Sequence, residues 1–262
     1  MPSTANISTR ILMRWPPEPA FENTNTLTLS LGGWFVDLRI DKQSGMIDWA
    51  MAGEKIVESK KPLTIAYTHI IDSHQDFDVV DRGTFTTLSN GDELEIGVMP
   101  RTDLPGAPVR PYREVWRNLE PESEGTSWIL ESLAGMELET HPEEVHIEPH
   151  ETRAVIKTFL AKIPGYFMAM RQELRYTRVP REEDGRWITV KSGGEVCARK
   201  QTWVEPNFTG MGTDIITGPG GKHLPTLRDV EGLTLELDKV LIIGGEDFIV
   251  RAFEDSRLKS SL

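Results

Sequence analysis

The chain has 262 residues, and its composition excludes several classes of protein. Its 29 lysines and arginines are outnumbered by 41 aspartates and glutamates, which gives a net charge of −12. This charge opposes binding to nucleic-acid phosphates and to anionic membranes. No segment approaches the roughly 20 apolar residues needed to cross a bilayer. The single cysteine excludes an intrachain disulfide and favours a reducing compartment. We therefore expect a cytoplasmic protein that neither binds nucleic acid nor inserts into a membrane.

Alternating polar and apolar residues predict strands along most of the chain, whereas helical patterns are scarce. Turn-forming pairs such as Gly32-Gly33, Asn90-Gly91 and Pro164-Gly165 separate these runs, as they do in antiparallel hairpins. The predicted strands are residues 27–31, 34–40, 63–71, 93–98, 127–133, 155–163, 166–174, 187–191, 196–204, 233–237, 240–243 and 248–253.

Two heptapeptides half a chain apart are similar: GWFVDLR at 33–39 and GYFMAMR at 165–171. The simplest interpretation is two copies of one β-rich unit, with a chance match as the alternative. Closure of each unit into a barrel would remove the exposed strand edges that promote aggregation. A polar, turn-rich stretch at 119–125 supplies a boundary. We predict a mainly β protein with few short helices, in which residues 1–122 and 123–262 form two packed antiparallel β-barrels.

The segment from 63 to 71 places His69 on an apolar face with Ile65 and Tyr67. Burial disfavours a charged imidazole, so a neutral His69 is a candidate general base or a hydrogen-bonding group for a ligand. A hydrogen-bonded structural histidine is the alternative. Asp72 follows at a predicted turn, where it would orient His69 or cap the turn.

Tyr112, Glu114 and Trp116 also alternate onto one face of a strand. If this face points inward, burial between two aromatic rings would favour the protonated form of Glu114 and make it a general acid or base. An arginine from the neighbouring strand would instead keep the carboxylate ionised in a structural ion pair. The sequence leaves both alternatives open.

The matched arginines of the two heptapeptides, Arg39 and Arg171, are candidates for binding a carboxylate or enolate oxygen. A structural role in the barrel wall is the alternative. Aromatic side chains in or beside the predicted strands suit both a core and a flat hydrophobic ligand. The sequence thus predicts His69, Glu114 and Arg39 as catalytic residues. The predicted ligand-binding residues are Trp34, Trp49, Tyr67, Tyr112, Trp116, Tyr166 and Arg171.

Three histidines, His141, His146 and His150, lie among glutamates, but their spacing fits no strong zinc or iron pattern. We expect a solvated acidic loop there. Neither of the glycine-rich stretches at 210–212 and 218–222 completes a nucleotide-binding motif. We therefore predict no metal and no cofactor. Residues 207–228 are expected to form a long surface connection, with a lid over a barrel as the alternative.

Five short motifs in the first half carry a family resemblance: WFVDLR at 34–39, DWAMAG at 48–53, THIIDS at 68–73, NGDELE at 90–95 and YREVWR at 112–117. In these motifs the chain resembles the fungal Hri-type lipocalin-like family. The resemblance implies two lipocalin-like β-barrels in one chain. It also implies a protein kinase as a partner, because the family takes its name from a yeast protein that interacts with a casein-kinase-type kinase. Fold-level analogy with related fungal barrels adds secondary metabolism as a setting.

The residues and the resemblance together favour a double barrel that binds a hydrophobic small molecule. A closed cavity that fixes a reactive conformer would catalyse a cofactor-independent cyclisation, isomerisation or cycloaddition, with proton transfer or oxygen polarisation by His69, Glu114 or Arg39. The alternative is a non-catalytic binding protein or a kinase-interacting protein, because no strong catalytic motif is present. Exposed strand edges leave a homodimer open.

Overall fold

The computed structural model describes residues 5–140, 147–148, 150–181, 183–203 and 212–258. Within these ranges antiparallel strands dominate, which confirms the prediction of a mainly β fold. The strands of the first half are β1 (Asn6–Arg14), β2 (Thr24–Leu31), β3 (Trp34–Asp41), β4 (Ile47–Lys60), β5 (Leu63–Tyr67), β6 (Ile71–Asp72), β7 (Asp81–Thr87), β8 (Glu93–Pro100) and β9 (Val109–Leu119).

The second half contains eight further strands and, among the described residues, a few short helices. The strands are β10 (Thr126–Ser132), β11 (Thr152–Ile163), β12 (Tyr166–Pro180), β13 (Trp187–Gly193), β14 (Cys197–Thr202), β15 (Thr213–Thr217), β16 (Val240–Ile243) and β17 (Glu246–Asp255). The helices are α1 (Met136–Thr140), α2 (Leu227–Val230) and two 3₁₀ turns, Gly221–His223 and Ser256–Leu258. In the described part of the chain, no helix has both the length and the apolar character needed to span a membrane.

The first sheet is a closed barrel of eight antiparallel strands. Its order is β3-β2-β1-β9-β8-β7-β5-β4, and β4 pairs back onto β3 along most of its length. The short strand β6 adds to β4 outside this ring. Closure pairs the backbone of every barrel strand on both sides and leaves an interior lined by alternate side chains.

The second sheet is antiparallel and curled. Its order is β15-β14-β12-β11-β10-β17-β16, and β13 also pairs with β12. In the described ranges the end strands β15 and β16 do not pair with each other, so this half is an open curled sheet where the sequence analysis predicted a second closed barrel. Both end strands are short, with five and four residues.

The main hydrophobic core lies between the two sheets. Leu29 and Leu38 of the barrel pack in one cluster with Phe159 and Met170 of the second sheet. The sheets change between 119 and 126, as the turn-rich stretch indicated. Because this core joins both halves, the division into domains 1–122 and 123–262 stays a prediction.

The matched heptapeptides occupy equivalent positions in two hairpins. Gly33 precedes β3 and Gly165 precedes β12, and both glycines adopt positive φ values, 89° and 92°. A side chain is strained in this conformation, so glycine suits both turns. Elsewhere, residues 233–237 are not a strand, contrary to prediction. The region 207–228, where a long surface connection was expected, contains β15, the 3₁₀ turn Gly221–His223 and the start of α2 among its described residues.

Candidate ligand site in the first barrel

Two cavities lie in the first barrel and share a layer of charged side chains. The mouth cavity, about 260 Å³, lies at the end of the barrel bordered by Trp15, Phe21 and Val80. The central cavity, about 60 Å³, lies deeper and is lined by residues from most of the barrel strands. Arg39 and Glu114 line both cavities. The site is therefore a two-chamber interior with a charged partition.

Two buried arginines form this partition with three carboxylates. Arg39 donates two hydrogen bonds to Asp37 Oδ2, of 3.1 and 3.0 Å, and its Nη1 lies 3.6 Å from Glu114 Oε1. Arg10 Nη1 donates to Glu114 Oε1 at 2.5 Å, and Arg10 Nε donates to Glu22 Oε2 at 2.8 Å. Burial opposes the positive charges, but the carboxylates more than offset it and raise the pKa of both guanidinium groups.

Arg10 shares the inward face of β1 with Asn6 and Ser8, and a β-bulge after it keeps Met13 on the same face. β1 pairs with β9, and the register shifts between Arg10 and Leu12, which leaves Ile11 partly exposed. Strict alternation would place Arg10 and Met13 on opposite faces of the strand, whereas the bulge turns both side chains inward. Of the two alternatives for Glu114, the structure shows the ion pair with an arginine on the neighbouring strand.

His69 lies immediately after β5 at the base of the mouth cavity and is almost fully buried. Its Nδ1 is 2.7 Å from Asp72 Oδ2, although the approach is too oblique for an aligned hydrogen bond. Its Nε2 is buried and has no hydrogen-bond partner among the described residues. Burial opposes the negative charge of Asp72, but contacts with His69, the His74 amide and Trp49 lower the pKa of that carboxyl. His69 thus has one ring nitrogen, Nε2, without a partner among the described residues, while its other nitrogen, Nδ1, lies beside the ionised Asp72 carboxylate.

Aromatic rings hold this corner of the mouth in place. Trp49 Nε1 donates to Asp72 Oδ1 at 2.9 Å, and its ring stacks on His74 at a centroid distance of 4.8 Å. The Arg39 guanidinium lies over the same indole ring at 4.8 Å. These contacts fix the position of Asp72, and through it that of His69.

Glu95 is a carboxyl group of the central cavity whose pKa is strongly raised. Tyr112 donates its hydroxyl to Glu95 Oε1 at 2.7 Å, and Trp116 Nε1 donates to Oε2 at 2.8 Å. Burial, followed by the nearby carboxylates of Glu114 and Asp81, nevertheless raises the pKa of Glu95 to about 8. A buried carboxyl group with a raised pKa therefore lies on β8, next to the strand that carries Glu114, and the catalytic role of Glu114 stays a prediction.

Two facing glycines make room for this group. Gly83 of β7 lies opposite Gly97 of β8 in the sheet register. A Cβ atom at Gly83 would overlap the Glu95 carboxyl, and one at Gly97 would overlap the Tyr112 hydroxyl. The glycine pair therefore permits a polar cluster at a position where side chains would normally fill the barrel.

The structure brings most of the predicted site residues together and separates three of them. His69, Glu114, Arg39, Trp49, Tyr67 and Trp116 line one or both cavities, and Tyr112 lies behind Glu95. Trp34 and Tyr166 pack against the core between the sheets. Arg171 lies in the second sheet, where it binds Glu246 and Thr158. The catalytic and ligand-binding roles of all ten residues stay predictions.

Sequence reasoning missed Arg10, Asp37, Asp81 and Glu95. A signal was present for Asp37, which lies two residues before Arg39 and so shares its strand face. Among the described residues, no three His, Cys, Asp or Glu side chains come close enough together to hold a metal ion. His141 and His146 lie outside the described residues.

Comparison with known proteins places this barrel in a family. The family model described as Protein HRI1 matches residues 6–208, which is most of the chain. The chain belongs to the HRI1 family. This confirms the resemblance seen in the five sequence motifs. No significant match was found among curated proteins.

A solved structure shares the fold of this HRI1-family chain. The crystal structure of the uncharacterized protein YLR301w from Saccharomyces cerevisiae is similar with a TM-score of 0.65. The similarity covers 96% of this chain and 99% of that one, at 13% sequence identity. At this identity the comparison supports the architecture and carries no residue-level role.

Proposed function

We propose that this HRI1-family protein is a small-molecule-binding barrel and that its ligand lies in the mouth cavity. The observation that carries the proposal is the buried, unpartnered Nε2 of His69 at the base of that cavity. A buried polar atom without a partner costs free energy, and a ligand group that hydrogen-bonds to it removes this cost. A concave site with a few such polar groups is typical of ligand pockets.

The rim of the mouth favours a ligand with a hydrophobic part. Phe21, Val79 and Val80 line the cavity, yet each leaves more than two fifths of its surface exposed to solvent. Met13 and Trp15 extend this apolar border. Exposed apolar side chains grouped around a cavity mark a binding surface more often than singly scattered ones do.

Blocking the mouth tests this proposal. We expect the Val80→Trp variant, purified from the natural host, to lose at least tenfold of the small molecule that mass spectrometry detects after wild-type protein is denatured. The matched control is Val190→Trp, because Val190 on β13 has a similar exposure, 42% against 45%, but lies in the other sheet. Equal ligand recovery from both variants, or a wild-type protein that releases nothing, would contradict binding at the mouth.

A specific observation also favours proton-transfer chemistry at this site. His69 lines the cavity, and Asp72 Oδ2 lies 2.7 Å from its Nδ1 in a carboxylate whose lowered pKa keeps it negatively charged. This arrangement suits a general base, because the carboxylate stabilises the imidazolium that forms after proton abstraction. The reaction class that fits is a cofactor-independent isomerisation or cyclisation of the bound ligand.

Replacing the histidine separates binding from catalysis. We expect His69→Gln to lower the turnover of the released ligand by roughly 100-fold, since general-base catalysis contributes about that much or more. His223→Gln is the control, because His223 is exposed and lies in the second half of the chain. If His69→Gln turns the ligand over at the wild-type rate, His69 is not the base. If neither the variant nor the wild type converts the ligand, the non-catalytic alternative holds.

The remaining predictions concern the protein's surroundings and stay predictions. They are a role in fungal secondary metabolism, a cytoplasmic location, a homodimer and a protein kinase partner. If the protein releases no ligand, the protein kinase partner becomes the favoured alternative.

A further inference from the structure

We propose that the ligand of the first barrel carries a positively charged nitrogen, such as a protonated amine, and that this group lies in the central cavity. The inference rests on the proposed binding at the mouth and adds the chemical class of the ligand. Its starting point is the set of charged side chains around the cavity.

Acidic side chains outnumber basic ones in this chamber. The carboxyl groups of Asp37, Asp81, Glu93, Glu95 and Glu114 line the central cavity, against two basic side chains, Arg39 and Lys55. Arg39 is committed to Asp37 and Glu114. Lys55 donates to Ser30 Oγ at 3.2 Å, and burial lowers its pKa. Among the described residues, neither Asp81 nor Glu95 has a cationic partner within ion-pair distance.

A second observation shows hydrogen-bonding capacity that the protein does not use. Asp37 is 97% buried; its Oδ2 accepts both bonds from Arg39, while its Oδ1 has no partner among the described residues. Thr28 lies directly opposite Asp37 in the β2–β3 register, and its buried Oγ1 is likewise without a partner in the described structure. Both residues line the central cavity. An ammonium group supplies the N–H donors that a free carboxylate oxygen and a hydroxyl oxygen accept.

The electrostatics favour a cation over an anion. Burial and neighbouring carboxylates raise the pKa of Asp81 as well as that of Glu95, and a positive ligand group would counter the second cause. An anion, in contrast, would have to displace a carboxylate from Arg39 or Arg10, because both arginines are already paired. The aromatic faces of Tyr67 and Trp116 in the same cavity also suit a cation.

The volumes of the two cavities indicate which one would hold the cationic group of the ligand and which one its apolar part. The central cavity, about 60 Å³, has room for about two waters or for one small cationic head group, since a water occupies roughly 30 Å³ in the liquid. The mouth cavity, about 260 Å³, is large enough for an attached apolar part. Both parts would meet at Arg39, Asp81 and Glu114, three residues that line both cavities.

Three probes of equal chain length test the charge of the ligand on the wild-type protein. Isothermal titration calorimetry at pH 9, where Glu95 with its pKa of about 8 is ionised and an alkylammonium group is still protonated, would compare hexylammonium chloride, 1-hexanol and sodium hexanoate. We expect hexylammonium to bind at least tenfold more tightly than the other two. Because this comparison uses the unaltered protein, it does not depend on the folding of any variant.

A substitution at Glu95 then tests whether the charged group of the ligand binds in the central cavity. Glu95→Gln is expected to weaken hexylammonium binding about tenfold and to leave hexanol binding unchanged, whereas Glu58→Gln, on the outside of the same barrel, leaves both unchanged. Hexanol binding as tightly as hexylammonium would overturn the cationic ligand while the mouth site stands. Tighter binding of hexanoate, no binding of any probe, or equal hexylammonium binding by Glu95→Gln and wild type would each overturn the inference. The ligand released from native protein decides the proposed function separately.

Discussion

Glu114→Gln is expected to lower the free energy of unfolding by about 3 kcal/mol, because it removes the carboxylate that two buried arginines share. Arg10 and Arg39 lie 2.5 and 3.6 Å from Glu114 Oε1, and all three side chains are at most 7% exposed. Each arginine keeps one other carboxylate, Glu22 or Asp37, which is why we expect a loss at the lower end for a broken buried pair. Urea unfolding followed by tryptophan fluorescence measures the change.

The matched control is the same substitution in an exposed ion pair. Glu58 binds Arg82 through two hydrogen bonds of 2.6 and 2.7 Å, but the two side chains are 34% and 53% exposed. Solvent screens such a pair, so Glu58→Gln should cost less than about 1 kcal/mol. Equal losses for Glu114→Gln and Glu58→Gln would show that the charged partition does not contribute to stability.

This expectation bears on how the site is tested. A Glu114 variant would change folding and chemistry together, so a loss of turnover in it would not identify a catalytic acid. His69 is better suited, because its Nε2 makes no hydrogen bond to the described protein that a substitution would break. The contacts of Glu114 with Arg10 and Arg39 thus support a structural ion pair, which was one of the two alternatives that the sequence left open.

Much of the fold was predictable because alternation reports burial directly. Tyr112, Glu114 and Trp116 are all buried, as their period-two spacing indicated, and the hairpin at Gly33 follows from its turn chemistry. The open second sheet could not be predicted, because closure depends on the pairing of its end strands β15 and β16 and not on any local pattern.

The charged interior was less predictable for two physical reasons. The contact of Arg10 with Glu114 depends on the register between β1 and β9, which shifts at the bulge near Ile11 and cannot be deduced from the alternation of either strand alone. Glu95 is raised in pKa by Glu114 and Asp81, which are distant in sequence and meet only when the barrel closes. A sequence pattern can show that a side chain faces inward, but it does not show which charged groups from other strands surround that side chain.

Glu95→Gln is expected to change how stability depends on pH. The folded-state pKa of Glu95 is about 8, against an ordinary value of 4.5, so the folded protein holds a proton here that the unfolded chain releases. The contribution of Glu95 to the unfolding free energy should therefore be fully present below about pH 4.5 and decline as pH rises to about 8, by about 3 kcal/mol between pH 5 and pH 8. Glutamine cannot ionise, so the variant should decline less over this window and gain on the wild type as pH rises.

Glutamine also preserves the local hydrogen bonds. Its oxygen accepts from Trp116 Nε1, and its amide donates to Tyr112 once that hydroxyl rotates to act as an acceptor. Chemical unfolding at pH 5, 6, 7 and 8 checks the prediction, with Glu58→Gln as the control, because the Arg82 contact lowers the Glu58 pKa and keeps its titration below this window. If Glu95→Gln declines as steeply as the wild type, the proton resides on another group. Asp81 would then be the first to replace, because burial raises its pKa in the same chamber.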